Sequence, residues 1–253
     1  MLMHMKSRTE ALRAVAAVVG AAMDDALVNP DAAARVQAQA FVDLMIPVVK
    51  GWSTESANLV TSLGVQVHGG MGYIEETGAA QHFRDARIAT IYEGTTGIQA
   101  LDLIGRKIAR DGGKTVAQVL DDMRSTSAQL KASGDADLAV MAAMLDKGIV
   151  ALAGGVKYIL ENYAANLRET AVGAVPFLEL FGVVAGGWQM ARAALAARRL
   201  QAQPDADQAF LQAKQITAQF YATHVLPGAG ALLDTMQTGA SSALALSDEQ
   251  FAV

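Results

Sequence analysis

Met1, Met5, Leu12, Val15, Val19 and Met23 recur at three-, four- and seven-residue steps. That spacing lines one face of a helix, whereas a half-buried strand repeats every second residue. Alternation of the strand kind is almost absent from the chain. Asn29-Pro30 stops the first helical pattern, and Asp31 is placed to cap the next. The second pattern runs to about residue 68 with Val48, Trp52, Leu59, Leu63 and Val67 on one face, and Pro47 is expected to kink or restart it. Residues 69–78 form a glycine-rich break, followed by a short helical piece over 79–86. Thr96 with Gln99 has the spacing of a capping box, which predicts a helix from beside Gly94 to about residue 109; Thr115 with Gln118 repeats it after Gly112-Gly113. Three or four further helices are expected. One carries Leu138, Ala142, Leu145, Ile149, Leu152, Val156 and Tyr163. Pro176 opens another as far as about Leu200. Pro204 opens one carrying Phe210, Ala213, Thr217 and Phe220, and Pro227 interrupts the last stretch. The expected fold class is all-α, with residues 111–114 as the boundary between two helical units.

Composition narrows the function. With 253 residues, 52% hydrophobic and 18% charged, the chain can bury a core and is not of disordered type. Mean hydropathy is +0.25. The most apolar run, residues 180–191, is bracketed by Glu179 and Arg192 and falls short of the about 20 residues a membrane-spanning helix needs. A buried helix and no membrane span are expected there. Lysine plus arginine number 20 against 25 acidic residues, so no basic stripe is available for nucleic acid. The absence of cysteine excludes disulfides and thiolate metal sites. Lys6, Arg8, Glu10 and Arg13 crowd an N-terminus that lacks the order of a secretory signal, and a cytoplasmic location is the default expectation.

Three familiar patterns fail on inspection. Gly113-Lys114-Thr115 resembles the end of a phosphate loop, but Ile108 stands where glycine is required. Gly70-Met71-Gly72 lacks the third glycine and the preceding strand of a dinucleotide fingerprint. His4, His68, His82 and His224 have no metal-ligand spacing. Residues 66–99 are different, because they gather Gln66, Gly69, Gly70, Arg84, Asp85, Tyr92, Glu93, Gly94 and Thr95 into one short stretch. Paired glycines after a helix let backbone N–H groups approach an anion or another chain; equally, they can be a plain helix stop. Glu93 ahead of a helix start can be a solvated residue that favours the helix dipole. Arg84-Asp85 alone would be a surface pair of little weight.

Gln66-Val67-His68-Gly69-Gly70-Met71-Gly72-Tyr73, then Arg84-Asp85-Ala86-Arg87-Ile88, then Ile91-Tyr92-Glu93-Gly94-Thr95, together resemble the C-terminal signature of acyl-CoA dehydrogenases. Lys50, sixteen residues before Gln66, fits the helix that precedes this signature. Leu101-Asp102-Leu103-Ile104-Gly105-Arg106-Lys107 and Val175-Pro176-Phe177-Leu178-Glu179-Leu180-Phe181-Gly182 are similar to a long-tailed subfamily, the group containing 3-methylmercaptopropionyl-CoA dehydrogenases. The resemblance implies a partial four-helix bundle over residues 1–110, lacking its first helix, followed by an additional helical domain over 115–253.

It also implies a chemistry. The family oxidises the Cα–Cβ bond of an acyl-CoA thioester with FAD as hydride acceptor. A carboxylate base is therefore needed on the face of the substrate opposite the flavin. The family's base maps onto Glu93, and the backbone N–H of Gly94 maps onto a group that polarises the thioester carbonyl. Gln66, Gly69 and Gly70 match positions that reach the FAD of a neighbouring subunit, and Thr95 one that touches FAD within its own subunit. Gly97 stands where many shorter members carry a flavin-contacting glutamine, so that contact is not carried over. The implied partners are an acyl-CoA, a second copy in a dimer or higher oligomer, and an electron-transfer acceptor. Because the flavin-holding β-domain and the first bundle helix have no counterpart in these residues, the chain alone is expected to be inactive. It is also expected to expose an apolar groove beside helices 5–27 and 34–68. The alternative function is a non-catalytic helical assembly module.

Overall fold

A computed structural model describes residues 1–252, and every regular element among them is helical. The elements are α1 (Leu2–Val28), α2 (Ala32–Val67), α3 (Gly70–Tyr73), α4 (Ala79–Ile88), α5 (Thr96–Asp102), α6 (Lys114–Ala132), α7 (Ala136–Asn162), α8 (Leu167–Val172), α9 (Ala174–Leu200), α10 (Gln208–His224), α11 (Ala229–Thr238) and α12 (Ala240–Ala243). A π-helical stretch, Leu103–Ala109, continues α5 without a break.

α1 and α2 form a hairpin whose corner follows from its own residues. The Asp31 carboxylate accepts the Ala33 amide at 2.9 Å, satisfying a donor that the helix start leaves free, and Arg35 donates to the Asn29 carbonyl at 2.7 Å. The buried stripe of α1 is Ser7, Ala11, Val15 and Val19, with Met1 and Met23 outside it. α2 continues as one helix through Pro47, so the restart allowed for there does not occur. Leu44, Met45, Val48 and Trp52 are all at most 1% exposed on either side of the proline. Burying these four side chains outweighs the about 3 kcal/mol that an interior proline costs a helix. Farther along, α2 loses its cover: Leu59 and Val67 are exposed, as are Leu27, Val28 and Val36 at the hairpin's other end. An open groove of about 770 Å³ runs beside Leu2, Met5 and Lys6 of α1 and Val60 of α2.

α9 is the axis of the fold. It packs against α1, α2, α5, α6, α7, α10 and α11. A helix apolar all round is one buried all round, and residues 180–191 are accordingly all buried. By length and composition α2, α7 and α9 could each cross a membrane; in α9 the apolar stretch is 83% buried within the protein itself. Small residues permit its close contacts. A Cβ on Gly182 would overlap the indole ring of Trp52, and one on Gly186 would lie 2.6 Å from the same ring. Tyr221 of α10 donates its hydroxyl to the Val183 carbonyl at 3.0 Å, and the Trp188 indole N–H donates to Thr126 of α6 at 2.8 Å. One continuous cluster of buried side chains runs from Ala11 in α1 to Met236 in α11.

Three helix starts differ from expectation. Thr95, not Thr96, caps α5, its hydroxyl accepting the Ile98 amide at 3.2 Å. Gly113 precedes α6 with φ +77°, and the Asp111 carboxylate, not a Thr115 box, accepts the Thr115 amide at 2.7 Å. α10 begins at Gln208 under an Asp207 cap rather than at Pro204. Its buried face is Leu211, Thr217, Ala218, Tyr221 and Ala222, while Phe210 and Ala213 face outward.

Candidate active site

The three signature blocks converge on α2. Between Ile88 and Thr96 the chain turns tightly: the amides of Ile91 and Tyr92 both donate to the Ile88 carbonyl, and the Thr96 amide donates to the Thr90 carbonyl at 3.3 Å. Arg87 donates to the buried Thr90 hydroxyl at 3.2 Å and braces the turn from α4. At its apex stands Glu93 with φ +52°, followed by Gly94 at +92°. Glu93 is the sole non-glycine among the described residues in the left-handed region. Glutamate has no local hydrogen bond to favour that conformation, which costs about 1–3 kcal/mol and persists only where the surroundings dictate it.

The surroundings are α2 side chains. The Lys50 ammonium donates to the carbonyls of Tyr92 at 2.9 Å and Gly94 at 2.7 Å, and lies 5.6 Å from the centroid of the Tyr92 ring. One turn and a half later, Glu55 accepts the Thr96 hydroxyl at 2.6 Å. These charge-assisted bonds stabilise by about 1.5–3 kcal/mol each and together exceed the backbone strain. Gly94 favours glycine chiefly through its backbone at φ +92°; a Cβ there would also sit 2.8 Å from the Gln99 amide nitrogen, the end of a movable side chain. The Glu93 side chain is itself exposed and makes no hydrogen bond or ion pair among the described residues. The N–H of Gly94 likewise has no acceptor among them.

The glycine turn lies at the other end of α2. Gly69 adopts φ +60°, and a Cβ on Gly69 or Gly70 would meet nothing within 4 Å, so the backbone there is open to an incoming group. Gln66 is exposed beside it, above a groove of about 650 Å³ bordered by Tyr73, Phe83 and Arg84. Gly72, by contrast, is buried against the Val65 carbonyl and holds α3 onto the end of α2. Arg84 pairs with Glu75 at 2.7 Å rather than with Asp85. Gln66 follows Lys50 by sixteen residues on an unbroken helix, so the glycine turn begins ~24 Å along α2, at 1.5 Å per residue, from the lysine that holds the Glu93 corner. The structure therefore brings Glu93, Gly94 and Thr95 together and sets Gln66, Gly69 and Gly70 apart from them.

What the motif reading lacked was Lys50, Glu55 and Arg87 as the props of the corner. In the sequence Lys50 is legible only as a position on its helix. Its contact with residues 92–94 spans more than forty positions, and no local pattern reports it.

Residues 1–109 match the family described as "Acyl-CoA dehydrogenase, C-terminal domain", and residues 116–247 match "Acetyl-CoA dehydrogenase C-terminal like". Among curated proteins, a 3-methylmercaptopropionyl-CoA dehydrogenase of Ruegeria pomeroyi is 45% identical over 89% of this chain and 38% of its own length. A broad-specificity linear acyl-CoA dehydrogenase of Mycobacterium tuberculosis is 33% identical over the same shares. Among solved structures, an acyl-CoA dehydrogenase from Bacillus anthracis complexed with FAD superposes with a TM-score of 0.73 at 16% identity, over 99% of this chain and 43% of that one. The chain thus spans about two-fifths of the length of the relatives it matches. Its two matched segments, its all-helical architecture and its signature blocks agree: the chain belongs to the acyl-CoA dehydrogenase family.

Proposed function

We propose that these residues form the C-terminal, helical part of a flavin-dependent acyl-CoA dehydrogenase, with Glu93 as the base that removes the α-proton of an acyl-CoA thioester. The observation that carries this reading is the backbone of Glu93. A glutamate serving only solubility has no reason to occupy φ +52°, where glycine would cost nothing. Strain held in place by a lysine and a neighbouring helix is the mark of a side chain whose direction matters.

In this reading the Glu93 carboxylate takes the proton from Cα as that C–H bond breaks. The unpaired N–H of Gly94 donates to the thioester carbonyl, where negative charge gathers as the proton leaves. FAD, when bound, supplies the acceptor for the hydride leaving Cβ. The residues present suit that cofactor. Thr95 keeps a hydroxyl proton without an acceptor among the described residues, next to the base. Gln66, Gly69 and Gly70 present an exposed amide and bare backbone to a cofactor held mainly by another protomer, in keeping with their place at the end of α2 beyond Lys50. A homodimer or larger oligomer, an acyl-CoA and an electron-transfer acceptor are the corresponding partners. Activity in this reading also requires the segments that relatives carry beyond the matched region.

The test is Glu93→Gln in the flavin-loaded holoenzyme, mixed anaerobically with acyl-CoA while flavin absorbance is followed. Loss of the base is expected to slow bleaching by about 10²–10⁴ with the flavin still bound. Bleaching within threefold of wild type contradicts the assignment. A second reading, a non-catalytic helical assembly module, is favoured by the exposed apolar residues Leu59, Val67 and Phe83 on α2 and α4. A wild-type protein that bleaches no flavin with acyl-CoA would favour it.

A further inference from the structure

We propose that Lys50 is the positioning residue of this site, its ammonium holding the Glu93 corner in the one backbone conformation that directs the carboxylate and the Gly94 N–H toward a shared point. The inference rests on the reading of Glu93 as the base. Lys50 donates to the carbonyl before Glu93, on Tyr92, and to the carbonyl after it, on Gly94, at 2.9 and 2.7 Å. The first bond fixes the peptide unit joining residues 92 and 93, and the second fixes the unit joining 94 and 95. Only the 93–94 unit between them remains, and that unit carries the Gly94 N–H. Clamping its two neighbours therefore sets both groups that would act on the substrate. A single ammonium suits the task because it is a point charge with three donors that can converge on two carbonyls. A neutral side chain of similar length offers fewer donors and no charge to offset a left-handed glutamate.

The lysine is itself well anchored. It lies half-buried on α2 three residues beyond Pro47, in a stretch of helix secured by the buried Val48 and Trp52. Glu55 holds the far side of the same corner through Thr96, so removing Lys50 frees residues 92–94 without releasing α5. Glu93 is then expected to relax toward negative φ, turning the carboxylate away while substrate still binds.

Lys50→Met in the flavin-loaded holoenzyme tests this, with Lys50→Arg and Glu93→Gln measured beside it. We expect Lys50→Met to lower the rate of flavin bleaching at saturating acyl-CoA by 10- to 100-fold while KM moves less than threefold, and Lys50→Arg to recover part of the loss. In the 253-residue chain, the Thr96 amide of Lys50→Met is expected to exchange with deuterium at least fivefold faster, with amides 53–60 of α2 unchanged. Should Lys50→Met fail to fold, Lys50→Gln carries the same comparison: a KM-independent rate loss supports the clamp, and a wild-type rate overturns it. If Glu93→Gln is inactive while Lys50→Met reacts and exchanges as wild type does, the clamp is wrong and the base assignment stands. If Glu93→Gln turns over normally, the base assignment fails and the clamp's catalytic role falls with it.

Discussion

Replacing Trp52 with alanine should remove the main contact through which α9 is seated on α2. The indole is 0% exposed, and its N–H has no hydrogen-bond partner, so the substitution loses packing and no polar interaction. Large aromatic-to-alanine changes in cores cost about 3–5 kcal/mol. For a chain of this size each kcal/mol moves the midpoint by about 2–4 °C, so Tm should fall by roughly 6–20 °C. The reciprocal change, Gly182→Ala, drives a methyl group into overlap with the ring. Because the ring is enclosed, it cannot swing aside, and α9 must lift from α2 at about 1–3 kcal/mol or more. In Trp52→Ala/Gly182→Ala the methyl enters vacated space, so the double variant should be less destabilised than the sum by roughly 1–3 kcal/mol. Far-UV circular dichroism with urea titration measures all three free energies. A Trp52→Ala loss below about 1 kcal/mol, or additivity in the double variant, would show that residues 1–109 and 116–247 do not share the core described above.

Glu179 is the clearest pH-dependent group. Burial raises its pKa above the ordinary carboxylate value; the Arg8 guanidinium at 3.8 Å opposes the shift and the carboxylate of Glu55 adds to it. Between the ordinary and the raised value the folded chain holds a proton that the unfolded chain has released, so Glu179's contribution falls as pH rises through that window. The stability of wild type relative to Glu179→Gln should therefore decline with increasing pH, and parallel curves in urea titrations at several pH values would contradict this. Gly94→Ala places a side chain at φ +92°, beside the Gln99 amide. It should cost about 1–3 kcal/mol by thermal unfolding, mostly from backbone strain because the Gln99 side chain can move away; an unchanged midpoint would mean the corner is not held as described.

Helices were legible wherever their signals were local. Asp31 sits beside the amide it caps, and Leu138 through Val156 show their buried face by spacing alone. The errors have a common physical cause, which is that tertiary contacts override local preference. Pro47 carries a strong stop signal, yet the side chains packed around it hold α2 together. Phe210 and Phe220 looked like the inner face of α10, but the space under that helix is filled by Tyr221 reaching Val183. The Thr95 and Thr96 assignment slipped by one residue because either hydroxyl could cap, and Glu55 on α2 engages the second. At the candidate site the signature blocks pointed to Glu93 and Gly94, while the strain at Glu93 and its cause at Lys50 emerge only when α2 is laid against the corner.

Proton removal by Glu93 is open to direct observation. Holoenzyme incubated in deuterium oxide with an acyl-CoA analogue that loses its α-proton but cannot pass on a hydride should incorporate deuterium at Cα, read by mass spectrometry. Wild type is expected to exchange within the time of normal turnover, and Glu93→Gln to show incorporation reduced by about 10²–10⁴. Equal incorporation by both proteins would place the base elsewhere.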